Sequence, residues 1–244
     1  MEFEVIPAVD LKGGKCVRLR EGIASLATEY SDDPVAVALH WEALGAARLH
    51  LVDLDGAFSG ASAHLQIAES IFRKLKIPVQ FGGGLRTLEQ VERILSLGAD
   101  RAILGTVAVD CPEIVEEAVR RHPSSIVVGI DAREGNIALR GWVDQTTIPA
   151  VELARRVKRL GVERVIYTDV ARDGMLRGVN WEETERLSRE AEIRVIASGG
   201  VSSLEDVRAI WERRAVGIEG VILGRALYDG KLDFGELRAR VGSW

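Results

Sequence analysis

The chain of 244 residues is long enough to bury a sizeable core, as one large domain or two small ones. Its 47% hydrophobic and 28% charged residues are ordinary for a soluble globular protein, and its net charge of −5 argues against a nucleic-acid or anionic-membrane surface, which would want a basic face. No apolar run has the form of a signal peptide or the length of a membrane span, and two cysteines, Cys16 and Cys111, make no disulfide framework, so a cytoplasmic protein is expected.

Short apolar, β-rich runs alternate with helical patterns along the whole chain. Strands are predicted near 5–10, 48–53, 78–81, 101–104, 126–131, 164–169, 194–198 and 220–223. Each is nearly continuous in Val, Ile and Leu, as parallel strands covered on both faces require. After the first strand, Asp33-Pro34 places a capping carboxylate before a proline at the first helical position, and that helix stops at Leu44-Gly45. Thr87 to Gln90 reads as a capping box opening a helix that ends at Leu97-Gly98. Pro112 and Pro149 sit at expected helix starts, and Gly161 closes the helix after Pro149. Ser202 to Glu205 reads as a second capping box, matching the first.

Eight strands alternating with eight helical stretches, and no Ser/Gly/Pro-rich linker, predict an α/β protein: a (β/α)8 TIM barrel, one domain over residues 1–244. A doubly wound open sheet is the alternative; the even spacing favours closure. The chain also repeats itself. Val5 to Gly13 matches Val128 to Gly135, Leu49 to Gly56 matches Val165 to Gly174, Pro78 to Gly84 matches Arg194 to Gly200, and Ala102 to Thr106 matches Val221 to Arg225. The barrel is therefore read as two half-barrels, about 1–122 and 123–244. A doubled set of acids and glycine turns predicts a substrate with two similar ends and acid/base chemistry between them.

In a parallel barrel the carboxyl ends of the strands converge on one mouth. Asp10 and Asp131 end equivalent strands and so face each other across it. One can remove a proton while the other donates one, if their surroundings separate their pKa values; the plainer alternative is that each caps its turn. Gly82-Gly83-Gly84 and Gly105-Thr106 in the first half, with Ser198-Gly199-Gly200 and Gly224-Arg225 in the second, are candidate phosphate turns, because glycine lets backbone N–H groups approach an anion. Taken singly such glycines only make tight turns; two matched pairs carry more weight. Thr168 and Asp169 end the sixth predicted strand, where Thr168 could hold a carboxyl group by a hydrogen bond. Asp53 and Asp55 hint at a metal, but His40, His50, His64 and His122 show no ligand spacing, and none is expected. His50 is expected to be packed or hydrogen-bonded. No P-loop or G-x-G-x-x-G run is present.

The motifs Pro7–Leu11, Val17–Leu19, Leu49–Gly56, Gly82–Arg86, Gly105-Thr106, Gly129–Arg133, Gly141-Trp142, Thr168-Asp169, Arg172–Gly174, Ala197–Ser203 and Gly224–Tyr228 run in order along essentially the whole chain. Together they resemble the phosphoribosylformimino-aminoimidazole carboxamide ribotide isomerases of histidine biosynthesis, a half-barrel duplication family. The resemblance implies an Amadori rearrangement that converts the bisphosphorylated aminoaldose ProFAR to the aminoketose PRFAR. It implies Asp10 as the base that moves the C2 proton, Asp131 as the acid that opens the ribose ring, and Thr168 as an orienting residue. It implies no metal and no organic cofactor, only a small-molecule bisphosphorylated partner, and a monomer is expected.

Two alternatives stand beside this reading. The cyclase subunit of imidazole glycerol phosphate synthase shares the barrel, acids and phosphate sites, but usually has a cysteine before the first acid and a lysine farther on. This chain has Ala8-Val9-Asp10 and Arg18 instead. A dual-substrate isomerase also acting on phosphoribosylanthranilate is suggested by Arg18, Arg140 and Trp142, since an arginine could grip the anthranilate carboxylate. A phosphosugar-binding barrel without catalysis would need only the turns. The chain departs from the family pattern at Met175, at His64 and at Glu21-Gly22-Ile23, all in loops expected to close over the substrate: 20–30, 55–64, 133–147 and 171–179.

Overall fold

The predicted strands form and close on one another. The computed structural model describes residues 3–20 and 23–244, so the departure at Glu21-Gly22 lies outside the described residues. In chain order the strands are β1 (Glu4–Lys12), β2 (Lys15–Arg20), β3 (Ile23–Ser31), β4 (Leu49–Asp53), β5 (Val79–Gly82), β6 (Arg101–Leu104), β7 (Ile126–Arg133), β8 (Asn136–Leu139), β9 (Asp144–Pro149), β10 (Arg164–Asp169), β11 (Arg194–Ser198) and β12 (Ile218–Leu223). β1, β4, β5, β6, β7, β10, β11 and β12 pair in that order, all parallel. β12 returns to β1 from Glu4↔Gly220 to Pro7↔Leu223, which closes a (β/α)8 barrel and removes the open-sheet alternative. β1 and β7 stand opposite each other, four strands apart either way round.

The remaining four strands are two hairpins that the sequence pattern did not show. β2–β3 follows β1, and β8–β9 follows β7, at equivalent places in the repeat. Each hairpin is joined antiparallel to its barrel strand through two residues of positive φ, Gly13-Gly14 at 57° and 79° between β1 and β2, and Glu134-Gly135 at 52° and 79° between β7 and β8. That is the geometry of a type I′ turn, whose twist matches antiparallel strands. The Gly-Gly and Glu-Gly pairs were the signals.

Alternation along each strand sends one set of side chains inward and the other out against the helices. Inside, Ile6, Ala8, Val127, Ile166, Ile196 and Ile222 fill the barrel, so it is a packed core and no pore. Outside, a second, larger layer fills the space under the helices, with Phe81, Leu51 and Ile71 fully buried. The helix signals hold with one shift. Asp33 accepts from Ala36 N at 3.0 Å and Pro34 opens its helix. Thr87 and Gln90 form a reciprocal box. The second box is Ser203 with Asp206, one residue beyond the predicted Ser202–Glu205, because the Asp206 carboxylate takes both the Ser202 and Ser203 N–H groups. At the bottom of the barrel, the buried Arg48 and Arg164 are paired by Glu4 at 3.0 Å and Glu219 at 2.8 Å. No described helix is long and apolar enough to cross a membrane.

Candidate active site

The inward set on β1 runs Ile6, Ala8, Asp10, and on β7 it runs Val127, Gly129, Asp131. Each acid therefore follows core residues upward and emerges at the mouth, where both line a cavity of about 230 Å³. Thr168 is in register with Asp131 on the neighbouring strand, and its hydroxyl bonds the Asp131 carboxyl.

The two hairpins give the acids different partners. β2 folds back on β1 so that Arg18 Nη1 meets Asp10 Oδ2 at 2.6 Å, with side chains only 11% and 14% exposed. A second Arg18 nitrogen donates to the Ala8 carbonyl. The turn after β8 instead brings Trp142, whose Nε1 donates to Asp131 Oδ2 at 2.8 Å. Burial pushes both carboxyl groups above the ordinary range; a guanidinium pulls Asp10 back, whereas only the neutral donors Trp142 and Thr168 pull on Asp131. A full counter-charge favours the ionised form far more than a neutral donor does. The two acids are thus set apart by their partners, a cation on Asp10 and neutral donors on Asp131. Trp142 and Arg140 reach their places at φ of 70° and 53°, uncommon for residues with a side chain.

The glycine turns repeat almost atom for atom. Gly83 has φ of 107°, and a Cβ there would lie 2.1 Å from the Asp53 carbonyl oxygen; at Gly199, φ is 88° and the distance to the Asp169 carbonyl oxygen is 2.8 Å. Next to them, a Cβ on Gly84 would meet the Gly56 carbonyl at 2.6 Å, and one on Gly200 would meet the Gly178 carbonyl at 2.4 Å. Gly105-Thr106 and Gly224-Arg225 each lead into a four-residue helix, Val107–Asp110 and Arg225–Tyr228. All eight of these residues and Ser198 line the cavity. Thr106 Oγ1 also accepts from Arg140 N at 3.1 Å, tying the hairpin after β7 to the turn after β6.

Two predicted residues stand differently. Asp169 does not line the cavity: Thr168 faces inward, so its neighbour faces out, and the Asp169 carboxylate accepts from Ala171 N and from Asn180 Nδ2 at 2.7 Å. It holds the loop after β10. Arg140 lines the cavity, but its guanidinium is engaged by Asp144 and by Asp110 at 3.1 Å. Asp53, the repeat partner of Asp169, is likewise spent on a loop, accepting from Gly56 N, Ser62 Oγ, Ala63 N and His64 N. Asp53, Asp55 and His64 have potential metal-ligand atoms within 4.8 Å of one another. Both Asp53 oxygens are committed to the loop, and Asp55 Oδ2 accepts from Gly13 N and pairs with His64 Nε2, both at 2.7 Å. His64 thus bridges to Asp55, and the departure there still serves the loop.

Two further residues line the cavity. His50, packed as expected, bonds Gln80 at 3.0 Å and is held neutral, its pKa brought down to about 3 by burial and by Arg18. Asp173 is the third carboxyl at the mouth, pushed up to about 7 by burial and by Asp10 and Asp131, against the pull of Arg18. Its equivalence to Asp55 in the repeat, and the Arg172-Asp173-Gly174 turn, were the available signals. Because the folded state favours protonated Asp173, its contribution to stability is full below the ordinary value of 3.8 and is lost as pH rises through about 7. Asp173→Asn removes this dependence. In urea melts, the variant is expected to gain on the native protein at pH 8 and much less at pH 4; an equal difference at both would remove the argument.

The comparisons with known proteins agree with this geometry. The model of the family described as histidine biosynthesis protein matches residues 4–233. Curated relatives from Synechococcus sp. (strain CC9311), Geotalea daltonii and Rhizobium leguminosarum bv. trifolii all carry the name 1-(5-phosphoribosyl)-5-((5-phosphoribosylamino)methylideneamino) imidazole-4-carboxamide isomerase. The first is 51% identical over 234 residues, covering 96% of this chain and 91% of the relative. The second is 49% identical, with 95% of each chain covered, and the third is 50% identical, covering 97% of this chain and 96% of the relative.

Proposed function

The chain belongs to the histidine biosynthesis protein family, and we infer from that premise and the site that it is the aldose–ketose isomerase converting the aminoaldose ProFAR to the aminoketose PRFAR. The observation that carries the assignment of roles is the unequal pairing of the two acids: Arg18 on Asp10, Trp142 and Thr168 on Asp131. Asp131, its pKa raised by burial, gives its proton to the ribose ring oxygen as the C1–O bond breaks and the nitrogen lone pair on C1 forms a C1=N bond. Asp10, paired with the Arg18 guanidinium, takes the proton from C2. The enaminol so formed returns a proton to C1 while its C2 hydroxyl loses one, leaving the ketone. The acid and base must differ for such a sequence, and the surroundings make them differ.

The paired glycine turns, in opposite halves of the mouth, would hold the two phosphates, whose chemical likeness explains why the turns stayed alike. Thr168 orients Asp131. We read the chain as a single domain of two half-barrels, about 1–122 and 123–244, acting as a cytoplasmic monomer on this small molecule; the matching hairpins and turns support the division. The direct test offers the purified protein ProFAR and, separately, phosphoribosylanthranilate, following each by absorbance. ProFAR is expected to turn over. Phosphoribosylanthranilate is not, because Asp110 and Asp144 occupy the Arg140 guanidinium. No conversion of ProFAR would end the assignment.

A further inference from the structure

β1 loses its partner β12 after Pro7, because β12 ends at Leu223 and the chain turns away at Gly224. The Ala8 carbonyl on that side is taken instead by side chains. Tyr228 Oη donates to it at 2.9 Å, and Arg18 donates to the same oxygen. The Arg18 guanidinium also lies over the Tyr228 ring, 5.1 Å from its centroid, and against Gly224, where a Cβ would come within 2.9 Å of Arg18 Cζ. The ring is fixed in turn. Trp41 meets it edge-on at 5.5 Å with Nε1 3.4 Å from the Tyr228 hydroxyl, Cys16 Sγ lies 3.5 Å from that hydroxyl, and Tyr30 packs at 4.8 Å.

We propose that Tyr228 is a positioning residue for Asp10: its ring holds Arg18 against the Asp10 carboxyl. The idea rests on the reading of Asp10 as the base. It makes the short helix after the Gly224-Arg225 turn the support of the base, so one element serves both a phosphate turn and the proton-transfer group. A mobile guanidinium would leave Asp10 part of the time. A cation–π contact to a buried ring limits that freedom at the cost of no donor, since the ring offers only its face.

The charged and titratable groups around this pair include Arg18 and Cys16 on β2, Tyr30 on β3, Asp173 in the loop after β10, Tyr228 itself, and His50 on β4 facing Arg18. Loss of the ring loosens Arg18, weakens the counter-charge that favours ionised Asp10, and lets burial push its pKa higher.

The test is a ¹³C carboxyl titration of Asp10 in the native protein, Tyr228→Phe and Tyr228→Leu, with Asp10→Asn assigning the signal. The Asp10 midpoint is expected to rise by at least about half a pH unit in Y228L and to stay near the native value in Y228F, which keeps the ring. In parallel, kcat for ProFAR falls about tenfold or more in Y228L with KM nearly unchanged, and the acid limb of kcat/KM moves to higher pH. Should Y228L not fold, Tyr228→Met, which fills the space without a π face, decides in its place. An Asp10 midpoint unmoved in the ring-less variant overturns the proposal, whatever its activity. Failure of the native protein to convert ProFAR would overturn the functional reading instead, and the titration is independent of that outcome.

Discussion

Asp10→Asn is expected to lower isomerisation by about 10³-fold or more while bisphosphate binding persists. The substitution keeps the size of the side chain and leaves an amide oxygen able to accept from Arg18, now 2.6 Å from the carboxylate. It removes the carboxylate electron pair that, in the proposed mechanism, takes the C2 proton. The glycine turns that would hold the phosphates lie at the ends of β5, β6, β11 and β12 and do not depend on this side chain. The loss should therefore appear in kcat, with the affinity for a bisphosphorylated product changed only severalfold, as calorimetry would measure. Asp131→Asn should fail at ring opening instead, because an amide cannot deliver the proton. Turnover by Asp10→Asn within tenfold of the native rate would rule out Asp10 as the base.

The second large effect is one of stability. Gly83→Ala places a methyl group 2.1 Å from the Asp53 carbonyl oxygen at a φ of 107°, where an L side chain is strained even in open space. Neither partner can yield cheaply. Asp53 is fully buried and holds the loop after β4 through four hydrogen bonds. A cost of about 3–5 kcal/mol follows, roughly a 10 °C fall in Tm for a chain of this size. Gly199→Ala, with 2.8 Å to its carbonyl, should cost less than Gly83→Ala. Gly135→Ala is the control: its φ of 79° is strained, but nothing lies within 4 Å, so about 1 kcal/mol is expected. Thermal melts of the three variants give the order directly. A Gly83→Ala protein melting within a few degrees of the native one would show that the turn rearranges freely.

Most of the barrel could be read from the chain because its signals are local. Continuous Val/Ile/Leu runs mark β4, β7, β10 and β12, and capping residues mark the helices between them. The hairpins escaped notice because β9 alternates between half-buried and exposed residues and pairs with another short strand, giving no continuous apolar run. Asp169 shows how strand-end position alone misleads. It ends its strand as Asp131 nearly ends β7, but Thr168 is the residue in register with Asp131, and period-two alternation turns Asp169 away. Applied to register and not just to strand ends, the same rule would have separated them. Asp173 and His50 could not be ranked without their neighbours, since burial and charge are what perturb them.

The amino-acid sequence by itself determined the eight parallel strands, the internal repeat, the two acids at strand ends and the glycines that alone fit the turns; the pairing of β12 with β1 closed the barrel. These follow from periodicity and from backbone geometry, which act over a few residues. Tertiary structure decided what surrounds each acid. Asp10 and Asp131 occupy matching places in matching halves, and nothing within their own strands distinguishes a base from an acid. The difference comes from hairpins that fold back over the mouth, one bringing a guanidinium and the other an indole N–H. A carboxyl group's proton affinity depends on charge and burial within a few ångströms, and those neighbours are assembled only when the chain has folded.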